Sequence, residues 1–146
     1  MTIKVHLTPS SDAWVKCVLA NFDEFLTDHA ANERKASSMA MSLVAHYPDK
    51  PDLVREMVNL ALEELTHFKQ VIRVMQDRGL IMTPDEKDLY VNQMRQHVRG
   101  DTDDYFLDRL LSGAVIEARG EERFRQLAEH LADKKLTAFS VALALS

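Results

Sequence analysis

With 146 residues, 46% of them hydrophobic and 28% charged, the chain is long enough for one domain with a sizeable core and too short for two ordinary ones. That balance excludes a disordered polymer, and no apolar run approaches the roughly 18 residues a membrane span needs. A single cysteine, Cys17, excludes an internal disulfide framework and a cysteine-based zinc site, and a formal charge of −5 argues mildly against nucleic acid as a partner.

The opening stretch, MTIKVHLTPSSDAW, lacks the basic-then-apolar pattern of a secretion signal, so a cytoplasmic protein is expected. Residues 11–21 read as a short helix leading into a long one. In that long helix Phe22, Leu26, His29, Glu33, Ala36, Ala40, Leu43 and Tyr47 recur at alternating spacings of three and four. The segment YPDKPD (47–52) breaks it near His46, and Pro51 suits the first turn of the next helix. There Leu53, Met57, Leu60, Glu64, His67, Val71 and Val74 repeat the rule. RGLIMTPDE (78–86) is the second break. Gly79 sits where a helix C-terminus is expected, and Thr83 with Pro84 offers a start for a shorter helix over 85–98. After RGDTDD (99–104), whose Gly100 follows a basic residue and whose Asp101–Asp104 stretch offers caps, a third seam follows. It runs Phe106, Leu110, Gly113, Glu117, Gly120, Phe124, Leu127 and Leu131. A weaker break at Ala132–Asp133 opens a fourth segment with Leu136, Phe139 and Leu143. Strict three-four spacing over several turns is the seam of an antiparallel helical bundle, so an all-α chain forming one domain over residues 1–146 is expected.

Glu33, Glu64 and Glu117 fall on these seams, where an apolar side chain belongs. Any one of them alone reads as a slightly misphased surface residue. A buried, unpaired carboxylate is costly or takes up a proton, so three on seams need partners. Glu33 lies 13 residues before His46 and Glu64 lies 12 after Asp52, which puts the two at one level of an antiparallel pair at about 1.5 Å per residue. Glu117 lies near the middle of the third helix. Glu64 and His67 form Glu-x-x-His, one face of a helix. Di-iron carboxylate bundles use a Glu from each of two helices and Glu-x-x-His from each of the other two. Both lone glutamates and one such pair are present. Counted the same way, the second pair would fall near position 147, past Ser146, so a chain ending before its last ligands, with an incomplete fourth helix and metal site, is expected.

The stretch FLTDHAANERKASSMAMSLVAHYPDKPDLVREMVNLALEELTHFKQVIRVMQDRGL, together with GAVIEARGEERFRQLAEHL, resembles the tRNA-(2-methylthio-N6-isopentenyladenosine) hydroxylase family, the MiaE type, over nearly the whole chain. The resemblance implies a ferritin-like four-helix fold, two iron ions as cofactor and dioxygen as co-substrate. It also implies hydroxylation of the isopentenyl group beside the anticodon of tRNA, with electrons from a separate reductase. Carried over by motif, the resemblance implies that Glu33 is the first-helix terminal iron ligand, Glu64 the carboxylate bridging the two irons, His67 the nitrogen ligand of the first iron and Glu117 the terminal carboxylate of the second. His29, Glu63 and Arg119 flank these positions as groups that would orient a ligand, although a packed core histidine and solvated charges are their ordinary roles.

Basic residues group at Arg34–Lys35, Lys69–Arg73–Arg78, Arg119–Arg123–Arg125 and Lys134–Lys135. Arg34, Lys35, Arg123, Lys134 and Lys135 are candidate tRNA contacts on the strength of the resemblance, while solvated helix faces are the plainer account. Nothing in the pattern asks for more than a monomer. Two other readings stay open: a ferritin-like oxidase, peroxidase or iron-handling protein with the same ligands, and an inactive, truncated bundle.

Overall fold

The computed structural model describes residues 6–87, 89–100 and 102–145; the candidate cap Asp101 and the terminal Ser146 lie outside them. Among the described residues there are six helices: α1 (Asp12–Ala20), α2 (Phe22–His46), α3 (Pro51–Asp77), α4 (Leu89–Arg95), α5 (Thr102–His130) and α6 (Lys134–Leu145). No strand occurs among the described residues. The chain divides into two compact units, Asn21–Asp85 and the segments on either side of it.

The first unit is the α2–α3 hairpin. Tyr47 N–H donates to the Leu43 carbonyl (3.0 Å), closing α2, and Pro51 opens α3 in the first turn, where its missing N–H costs nothing. Helix α3 ends in a Schellman turn: Leu80 N–H donates to the Met75 carbonyl (2.9 Å) and Gly79 N–H to that of Gln76 (3.0 Å). Gly79 adopts φ 71°, a conformation that glycine tolerates best. The antiparallel register is pinned at the open end by Arg78, whose guanidinium pairs with Asp23 (2.5 Å) and lies over the Phe22 ring (5.6 Å). Leu26, Ala40, Leu43, Ala61, Val71 and Met75 form the core between the helices.

Two details differ from the sequence expectation. The buried stripe of α3 contains Ala61 and Met75 where Leu60 and Val74 were expected, and in α2 Ser37 is buried rather than Ala36. The buried set Leu26, Ala30, Glu33, Ser37, Ala40 alternates four and three where three and four were expected, and either order keeps one face of a helix, so spacing alone does not choose between adjacent residues. Thr83 and Pro84 do not begin a helix. Residues 80–87 form a non-helical connection and α4 starts at Leu89. The Asp85 carboxylate in that connection is engaged by Arg34 of α2.

In the second unit α5 and α6 form another hairpin. Asp133 caps α6, its Oδ1 accepting from the Lys135 N–H (2.7 Å) and the Leu136 N–H (3.3 Å). Phe124, Leu127, Leu143 and Ala144 are buried, and Phe124 meets Phe139 edge-on at 6.5 Å. Before α5, Arg99 grips Asp108 and Asp104 (2.7 and 2.9 Å), with its own N–H donating to Asp108 (2.9 Å). These contacts hold the Asp108 carboxyl down at about 2.

Candidate metal centre

Alanines and a serine surround the acids on both helices of the first unit. Ala30, Ala31, Ser37 and Ala40 are buried on α2, and Ala61 on α3. Side chains this small let the two helix backbones approach, and Ser37 Oγ donates to the Ala61 carbonyl across the gap (2.9 Å). Each end of this bond lies one turn from an acid: Ser37 is four residues after Glu33, and Ala61 three before Glu64.

Glu33 and Glu64 are therefore level and buried, 8% and 3% exposed. His67, one turn along α3 from Glu64, places Nδ1 at 3.7 Å from Glu64 Oε2 and 3.9 Å from Glu33 Oε2. One ligand atom from each of the three lies within 4.8 Å of the others. His29, one turn before Glu33, sets Nε2 at 2.6 Å from Glu33 Oε1, its ring parallel to that of Phe25 at 5.9 Å.

The electrostatics follow from crowding two acids with imidazoles. Burial pushes the Glu33 carboxyl up, but the close contact with His29, the neighbouring Glu64 and the imidazole charges outweigh it and hold the group below its ordinary value. For His67 the adjacent Glu64 carboxylate is the largest influence; it raises the imidazole against the opposing effect of burial, helped by the charges of Glu33 and Glu63. Two carboxylates drawn out of water beside an imidazole form an anionic pocket that a multivalent cation neutralises. Oxygen and imidazole donors suit first-row metals such as iron(II). The residues present fit such an ion.

The other candidates are distributed as follows. Glu63 is exposed on α3. Arg34 is paired with Asp85, both partly exposed, and Lys35 is half-buried beside it on α2. Glu117 belongs to the second unit, exposed at the middle of α5. Arg119, two residues on, donates to the Thr8 carbonyl (2.8 Å) and to Glu122 (2.9 Å). Arg123 lies 4.8 Å over the Trp14 ring, and Lys134 and Lys135 are exposed in the first turn of α6. Two features escaped the sequence. One is Ser37, whose partner is a main-chain carbonyl. The other is the Glu122 carboxylate, which accepts from the N–H (2.7 Å) and hydroxyl (2.8 Å) of Ser10, 112 residues away.

Comparison with known proteins gives these features a family. The family described as tRNA-(MS[2]IO[6]A)-hydroxylase (MiaE) matches residues 1–146. Over 131 residues the chain is 42% identical to the tRNA 2-(methylsulfanyl)-N(6)-isopentenyladenosine(37) hydroxylase of Pseudomonas putida, covering 90% of this chain and 63% of that protein. A protein of the same name from Salmonella typhimurium is 37% identical over 116 residues, 80% of this chain and 42% of that protein. The chain thus spans less than two thirds of the length of these relatives. A solved structure, a protein 43 with aldehyde deformylating oxygenase activity from Synechococcus, matches with a TM-score of 0.93 and 34% identity over 98% of this chain and 71% of that one. The expected all-α, ferritin-like class is the fold class of this protein. By the match over its whole length, the chain belongs to the MiaE family of tRNA-(MS[2]IO[6]A)-hydroxylases.

Proposed function

We propose that this chain contributes the metal site of an oxygenase that hydroxylates the isopentenyl group of 2-methylthio-N6-isopentenyladenosine beside the anticodon of tRNA, in the cytoplasm. The observation that carries the proposal is the cluster of two buried acids, Glu33 and Glu64, with the half-buried His67, in a chain of a tRNA hydroxylase family. No helix among the described residues is long and apolar enough to cross a membrane, in keeping with a substrate met in water.

In this reading Glu33, Glu64 and His67 hold the first of two iron ions, and Glu117 is the carboxylate for the second. Bound iron supplies the oxygen-activating chemistry that oxidises an allylic C–H bond. The balance is fixed by the chemistry: one atom of dioxygen enters the C–OH product and the other leaves as water, with two electrons from a reductase and two protons. His67 ligates as the neutral imidazole, so it gives up the proton that its neighbours favour in the metal-free chain. The buried walls of the α2–α3 hairpin exclude bulk water from the acids. The anticodon loop, with unstacked bases, is the kind of RNA element whose modified base reaches a protein pocket. Arg34, Lys35, Arg123, Lys134 and Lys135 are the proposed contacts to its phosphates.

The test is nucleoside mass spectrometry of prenylated, methylthiolated tRNA after incubation with iron-loaded chain, an electron donor and dioxygen. The reading expects the modified adenosine to gain one oxygen atom, and to gain none with Glu64→Ala. Unmodified tRNA together with turnover of an aldehyde would favour a second reading, which rests on the activity named for the Synechococcus protein.

A further inference from the structure

Beside the acid pair, His29 falls outside the group of mutually close ligand atoms found among the described residues, and it has a distinct contact of its own. The two oxygens of Glu33 face different neighbours. Oε1 is 2.6 Å from His29 Nε2, whereas Oε2 is on the side of His67 Nδ1, 3.9 Å away. The His29 ring is itself placed, parallel to Phe25 (5.9 Å between centroids, 3° between planes) and four residues from Glu33 on the same face of α2. A glutamate side chain has three rotatable bonds, and a contact that fixes one oxygen leaves the other aimed in one direction.

We infer that His29 is a positioning residue: it anchors Oε1 of Glu33 so that Oε2 is presented to a metal shared with Glu64 and His67. The inference rests on the metal-binding reading of those three residues and adds to it a fourth, non-ligating group. Partners that hold a ligand's far side ordinarily change metal affinity by about 10- to 100-fold when removed.

Cobalt(II) titration of the full 146-residue chain, followed by the visible absorption of the bound ion, tests it. His29→Ala should weaken cobalt binding about 10- to 100-fold and alter the absorption bands, since Glu33 is then free to turn. Glutamine can place its amide nitrogen near the position of Nε2, and the shorter asparagine cannot. His29→Gln should therefore restore affinity to within a few-fold of wild type while His29→Asn does not. If His29→Ala fails to fold, as read by its helical circular dichroism, the Gln–Asn contrast decides alone. Wild-type affinity and bands in His29→Ala, or equal affinities for Gln and Asn, overturn the role. Loss of cobalt from all three variants alike makes the imidazole a ligand and also overturns it. A wild-type chain that binds no cobalt overturns the metal reading itself and with it this role, a result distinct from binding that the variants leave unaltered.

Discussion

Ser37 Oγ donates to the carbonyl of Ala61 at 2.9 Å, a buried bond from one long helix to the other, one turn from Glu33 on its own side and one turn from Glu64 on the far side. A side chain bonded to a main-chain atom fixes axial register as well as distance. The level alignment of the two acids therefore depends on this contact as well as on apolar packing. Within α3 the Ala61 carbonyl keeps its helical bond when the serine is removed, so the loss is one net hydrogen bond without an orphaned acceptor. Ser37→Ala should cost about 1 kcal/mol of stability by urea unfolding and weaken metal binding. A variant as stable as wild type, with unchanged metal affinity, would remove the bond from the account.

Glu122 gives a pH signature in the second unit. Burial pushes its carboxyl up, but hydrogen bonds from the Ser10 N–H and hydroxyl and from Arg119 prevail and leave it below its ordinary value of 4.5. A group depressed on folding contributes stability that is present above its unfolded value and is lost as pH falls through the folded one. The segment around Ser10 should thus loosen from α5 only below about pH 4.5. Trp14, the chain's single tryptophan and a neighbour of Arg123, is a reporter in place. Its fluorescence should shift on acidification below that pH in wild type. In Glu122→Gln the acid limb should flatten, with the loosened signal already present at neutral pH. An identical acid limb in both proteins would contradict this.

Arg34 follows Glu33 in sequence and is paired with Asp85, so one of the proposed tRNA contacts already holds an anion within its own unit. A phosphate would have to replace that carboxylate. Asp85→Asn should tighten tRNA binding a few-fold at low salt. Arg34→Ala should weaken it and reduce the slope of log affinity against log salt by about one. Unchanged binding and slope in Arg34→Ala would leave Arg34 only the task of tethering residues 80–85.

Much of this was legible in the amino-acid order, and what was not has physical reasons. Three-four spacing and the breaks beside it located α2, α3 and α6 to within a residue or two of their observed starts, while the third seam's first residue, Phe106, lies four residues inside α5. The fixed rise per helical residue puts Glu33 level with Glu64 from the sequence alone. The slips at Ala36/Ser37 and Leu60/Ala61 arise because either of two adjacent residues completes a three-four alternation, and apolarity alone favours Ala36 and Leu60. Thr83–Pro84 has the chemistry of a helix start, yet residues 80–87 run as a non-helical connection, with Asp85 engaged by Arg34. The His29–Glu33 contact was ambiguous because a four-residue spacing suits core packing and a polar contact equally. Ser10–Glu122 leaves no local trace, since the partners are 112 positions apart.

Whether Glu33, Glu64 and His67 form a metal site is read most directly from iron stoichiometry. The chain is loaded anaerobically with ferrous iron, freed of excess, and assayed for bound metal beside Glu64→Ala. At least one tightly held iron per wild-type chain is expected, lost in the variant with helical content retained. A wild-type chain that retains no iron, or a variant that retains as much as wild type, would contradict it.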